Sequence, residues 1–132
     1  MNGFGQTGSR RQALRQLAGA AAAALGAPAL AQGGGGRPIV LGQSAAFSGP
    51  AAQLGEHFKR GAMLYFDRLN ARGGIAGRAV ELRSLDDGYT PSLANTEQLV
   101  KDGVFALFGY IGTPTSLAAL PVATAARTPF IA

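Results

Sequence analysis

The chain has 132 residues, a formal net charge of +5, one histidine and no cysteine. Its length allows one domain. The missing cysteines exclude disulfides, thiolate metal sites and cysteine nucleophiles, and a lone histidine, His57, puts a multi-histidine metal site out of reach. The charge is concentrated at the start. Arg10, Arg11 and Arg15 lie in a first stretch of 31 residues that contains no acid, so the remainder carries nine basic against seven acidic side chains. Those remaining basic residues are scattered, most of them a few positions from an acid. This reads as a solvated surface and gives no nucleic-acid footprint, which needs clustered charge on one face.

Residues 1–31 have the three parts of an export signal: a basic start, an apolar run over 17–30, and the small-x-small site Ala29-Leu30-Ala31 before Gln32. The run contains glycines and a proline and is too short to span a bilayer comfortably, so a cleaved signal fits better than an anchor. The stretch "SRRQALR" resembles the bacterial twin-arginine signal through Arg10, Arg11 and Leu14, with Arg15 where lysine is usual. A flexible glycine-rich leader, residues 32–37, follows.

From there apolar and amphipathic runs alternate. Residues 39–43 form a buried-type strand, and "FSGPAAQLG" is a loop punctuated by Gly49-Pro50. A helix is expected over 52–71, with Leu54, Phe58, Gly61, Ala62, Tyr65 and Leu69 as its apolar stripe. Gly61 within that stripe implies that another backbone passes close by. Gly73-Gly74 ends the helix. A second strand over 79–85 is closed by "DDGYTP", where Thr90 caps and Pro91 opens a helix reaching residue 102. The run "VFALFG" has no polar residue and predicts a third strand buried on both faces. A third helix over 113–126 contains Pro121, which removes one internal hydrogen bond. The segment "TPFIA" begins a fourth strand, and the stop just after it points to an incomplete domain.

Strand–helix alternation of this kind predicts an α/β fold: a doubly wound parallel sheet, here partial, with helices on both faces. Ligands then bind at the carboxyl ends of the strands, which selects the loops over 44–53, 86–91 and 110–115. In the last of these, Thr113 is placed to cap the third helix and Pro114 to occupy its first position. A helix start offers free N–H groups and partial positive charge to a carboxylate or phosphate, and Gly112 lets a ligand approach the backbone closely. Asp86 and Asp87 form a carboxylate pair, but no third acid or lysine at a strand end completes a metal or phosphorylation site, so loop capping and lobe–lobe contact account for them. Nucleophile-elbow and nucleotide-binding motifs are absent. Nothing therefore points to an enzyme or to a cofactor.

The segments "SGPAAQLG", "GAMLYFDRLNARGGIAGRAVEL", "DDGYTP" and "FGYIGTPTS" come in an order and spacing that resembles the periplasmic leucine/isoleucine/valine-binding proteins, the type I solute-binding proteins of ABC importers. The resemblance covers residues 38–132 and implies part of the first of two lobes that close on a small solute. It also implies a periplasmic monomer, without catalysis, that delivers an amino acid or related carboxylate to a membrane permease. A sensory domain of a receptor with the same fold is the alternative. By the same resemblance, Ile111, Gly112 and Thr113 stand where the family grips the ligand's carboxylate, and Tyr110 and Leu54 would shape the cleft. Two departures stand out. Leu54 replaces an aromatic residue that usually covers the ligand, and Gly88 and Gly112 stand where some members carry a cysteine pair.

Overall fold

Seven residues, Ile39–Ala45, form the central strand β1, and its alternating side chains decide how the rest of the chain packs. Val40 turns to one face of the sheet, while Ile39 and Leu41 turn to the other. The computed structural model describes residues 36–91 and 93–132. The export signal and residues 32–35 of the leader lie outside the described residues. After β1 come helix α1 (Ala52–Ala71), strand β2 (Val80–Asp86), helix α2 (Leu93–Lys101), strand β3 (Ala106–Phe108), helix α3 (Thr113–Ala125) and strand β4 (Phe130–Ile131).

The four strands pair in parallel and their order is β2-β1-β3-β4. β1 pairs with β2 along its whole length, from Ile39 opposite Val80 to Ala45 opposite Asp86. On its other side β1 meets β3, with Leu41 opposite Ala106 and Gly42 opposite Leu107. The direction of winding reverses between β1 and β3, so this is where an open parallel sheet leaves a crevice.

The helices divide between the two faces. Leu99 of α2 and Ala119 and Ala123 of α3 pack with Leu107, Val104 and Tyr110 in one core. Phe66 of α1 packs with Ile39 and Val80 in the other, supported by Leu41, Ala62, Leu69 and Phe108. Gly42 of β1 leaves room for Leu99, whose atoms would lie 3.2 Å from any side chain added there.

The bounds of α1 agree with the periodicity, but its inward stripe is rotated by one residue. Gly55 and Phe66 are buried, with Ala62 and Leu69 partly so, whereas Leu54, Phe58, Gly61 and Tyr65 are exposed. The close backbone approach is at Gly55, where an added Cβ would collide with the carbonyl oxygen of Ala46; around Gly61 there is open space. Gly61→Ala should therefore stabilise the protein by about 1 kcal/mol, the difference in helix propensity, seen as a higher urea midpoint. At its other end α1 is tied to the edge strand by Asn70, which donates to the Val80 carbonyl and accepts the Val80 N–H, both at 2.8 Å.

Two further expectations need correction. α2 begins at Leu93, not at Thr90-Pro91, because that dipeptide completes a turn in which the Thr90 N–H bonds the Asp87 carbonyl at 2.9 Å. The apolar run around β3 is not buried throughout: Phe105 is 61 % exposed. It lines an apolar groove of about 380 Å³ beside α1, together with Ile39, Tyr65 and Ile75, so one face of the sheet is covered by α1 alone among the described residues. α3 runs through Pro121 to Ala125. No helix of the described residues is long and apolar enough to cross a membrane.

Candidate functional site

The carboxyl ends of β1, β2 and β3 bring three loops to one edge of the sheet. The β3–α3 loop, residues 109–112, is built from the interior outward. Gln43 of β1 is fully buried and donates from Nε2 to the Gly109 carbonyl at 3.0 Å, while its Oε1 accepts from the Ser84 hydroxyl, also at 3.0 Å. One side chain thus links β2, β1 and the exit of β3. Gly109 has φ +71°, a left-handed conformation that sends the chain out of the strand.

Tyr110 turns back into the core. It is only 6 % exposed, its hydroxyl pairs with that of Thr96 at 3.0 Å, and its ring meets Phe130 with centroids 5.0 Å apart. Burial, aided by the negative charge of Asp87, pushes its hydroxyl above the usual tyrosine pKa, against a smaller opposing effect of Thr96. The expected cleft-shaping role of Tyr110 is therefore corrected: it anchors the loop from within.

Thr113 is the first residue of α3, and the capping position belongs to Gly112. The expectation that Thr113 caps the helix is corrected as well. Gly112 has φ +98° and ψ 134°, which glycine tolerates and threonine does not. The hydroxyl that folds back is that of Thr115, which donates toward the carbonyls of Ile111 and Gly112 at 2.6 and 2.7 Å. Thr113 is left exposed, with no hydrogen bond to its side chain within the described residues. Ile111 and Gly112 are partly buried beside it. The first backbone bond back to this turn is made by the Ser116 N–H, to Gly112 at 3.0 Å, so the earlier N–H groups of the helix point out of it. Leu54, in the first turn of α1 on the same sheet edge, is 52 % exposed.

The β2–α2 loop is held by its two acids. Asp86 accepts the Phe47 and Gly88 N–H groups at 2.8 and 2.9 Å. Asp87 accepts the Ser44 hydroxyl and the Tyr89 N–H, each at 2.9 Å. Asn95 adds bonds to the Ser44 hydroxyl and the Asp86 carbonyl. The Ser48 hydroxyl, and after it the Phe47 and Gly88 N–H groups, hold the Asp86 carboxyl down to about pKa 2. A carboxylate lowered in the folded state lends stability that is complete above its unfolded pKa and is lost as pH falls through the folded one. Stability should decline between about pH 4 and pH 2 partly through this group. Asp86→Asn should flatten that acid limb, measured as urea midpoint against pH.

Sequence reasoning missed Tyr89. The side chain facing Gly112 is Tyr89, two of whose ring atoms lie 3.1 and 3.2 Å from where a Cβ on Gly112 would stand. The signal available was an aromatic residue in a short loop after a strand. Nothing local marks it as left-handed, yet its φ is +65°.

A family model described as periplasmic binding protein matches residues 38–132. The chain belongs to the periplasmic binding protein family. Among curated proteins it is similar to the Leu/Ile/Val-binding protein BraC3 of Rhizobium johnstonii, 35 % identical over 86 residues, covering 64 % of this chain and 23 % of that protein. Two solved members of the same fold are also similar. One is a possible leucine/isoleucine/valine-binding protein from Rhodopirellula baltica, with TM-score 0.68 and 37 % identity over 71 % of this chain and 26 % of that one. The other is a branched-chain amino acid transporter substrate-binding protein from Streptococcus pneumoniae in complex with isoleucine, with TM-score 0.66 and 31 % identity over 70 % and 28 %. This periplasmic binding protein chain spans about a quarter of the length of these relatives.

Proposed function

We propose that the chain forms part of the first lobe of a periplasmic solute-binding protein serving an ABC importer, and that the lobe grips an amino acid or related small carboxylate at the β3–α3 loop. The observation that carries this reading is Thr113. Its hydroxyl is exposed, has no partner within the described residues, and sits at the start of α3 beside a glycine, on the ligand edge of a parallel sheet. The likeness to an isoleucine-bound protein of the same fold supports it. Thr113 donates its hydroxyl and N–H to the carboxylate, Gly112 admits the ligand to the backbone, and Ile111 and Leu54 flank it. The partial positive charge of the helix start adds to the attraction.

Binding is non-covalent, needs no cofactor and involves no catalysis. A second lobe closes on the ligand by a hinge motion and completes its contacts. The loaded protein, a monomer, then meets the membrane permease. Export by residues 1–31, with Arg10 and Arg11 as the twin-arginine pair and cleavage after Ala29-Leu30-Ala31, places it in the periplasm.

Calorimetry on the two-lobed protein, against amino acids and aromatic acids, tests the reading. Thr113→Ala should weaken the bound acid by about 1–3 kcal/mol, the range for a lost charge-assisted hydrogen bond. An unchanged affinity would remove Thr113 from the site.

A further inference from the structure

We infer that the ring of Tyr89 is the apolar wall of this carboxylate site and selects acids that carry an aromatic body. The inference rests on the reading above and names the class of ligand within it. Tyr89 lies in the β2–α2 loop, a different loop from Thr113, and its ring is nonetheless set against Gly112. Its position is determined from the centre of the sheet. Ser44, buried at the end of β1, donates to Asp87, and Asp87 accepts the Tyr89 N–H.

The backbone at Tyr89 is left-handed, a region that side chains other than glycine, asparagine and aspartate rarely enter. That cost is not returned by burial, since Tyr89 remains 45 % exposed. A core aromatic of this fold looks different: Tyr110 is buried and hydrogen-bonded. Tyr89 is instead held in place while still exposed. A carboxylate on the Thr113 N–H and hydroxyl sits one residue from Gly112, against which that ring is set. Aromatic pairs gain by offset or edge-to-face contact beyond the area they bury. Leu54, without an aromatic ring, does not supply this contact.

The test compares sodium acetate with sodium benzoate on the 132-residue chain, following the backbone amide signals of Gly112 and Thr113 by NMR. Benzoate should bind about threefold to tenfold more tightly than acetate. Tyr89→Gly, which suits the left-handed backbone, should abolish that preference by weakening benzoate more than acetate, and Tyr89→Phe should keep the preference. If both acids move the two amides and the preference is absent, or survives Tyr89→Gly, the inference is wrong and the carboxylate site stands. A loss of equal factor for both acids in Tyr89→Gly also overturns it, since the ring would then only prop the loop. If neither acid moves those amides, the carboxylate reading itself falls, and the inference with it.

Discussion

Gly55→Ala should destabilise the protein by about 3 kcal/mol, at the upper end of what overpacking costs. The backbone of α1 crosses the loop after β1 so closely that an added Cβ would collide with the carbonyl oxygen of Ala46, with the carbon of that carbonyl 2.8 Å away and the Phe47 ring 3.2 Å away. The obstacle is backbone and cannot rotate aside. Either α1 lifts from the sheet, which opens the core around Phe66, or the β1–α1 loop moves and strains the bond from the Phe47 N–H to Asp86. Both outcomes also disturb the sheet edge that carries the candidate site. Urea unfolding measures the loss, and Gly61→Ala on the same helix is the control because its effect has the opposite sign. A neutral Gly55→Ala would mean that the helix and the loop are not in contact.

Gly109→Ala should cost a similar amount, about 3 kcal/mol, from two sources. Alanine resists the left-handed backbone at this position by roughly 1–2 kcal/mol. Its methyl would also collide with the Phe58 ring and stand 3.1 Å from the Gln43 amide. Displacement of Gly109 breaks the bond from Gln43 Nε2, whose buried amide then lacks its acceptor. The loop carrying Gly112 and Thr113 shifts with it, so under the proposed function ligand affinity should fall together with stability. Phe58 is a side chain and can be removed. The double variant Gly109→Ala/Phe58→Ala should lose less stability than the two single changes sum to, which a double-mutant cycle on urea midpoints detects.

These two glycines mark where the sequence is and is not legible. The alternation of strands and helices follows from apolar runs bounded by glycine and proline, and the bounds of α1 follow from periodicity. The phase of its stripe does not. Leu54, Phe58, Leu64 and Tyr65 are large and apolar but exposed, while the buried Gly55 has no side chain for a hydropathy pattern to register. The start of α3 failed for a related reason. Thr113 has the chemistry of a capping residue, but Gly112 has the backbone for it, and conformation decided the matter. Tyr89 was illegible because tyrosine seldom adopts the conformation it has here, and what explains it is the local bond from its N–H to Asp87, which the distant Ser44 hydroxyl holds in place. The loop containing the candidate site could be found from strand order. Which of its side chains face outward could not, since Tyr110 and Thr113 differ only in how the loop is tied from below.

The most direct measurement is an NMR titration of the 132-residue chain with isoleucine, following every assigned backbone amide. A carboxylate site at the β3–α3 loop requires weak, saturable shifts concentrated at Gly112, Thr113 and the adjoining turn of α3. Isoleucine-dependent shifts confined to the apolar groove around Phe105 and Tyr65, with Gly112 and Thr113 unmoved, would contradict it.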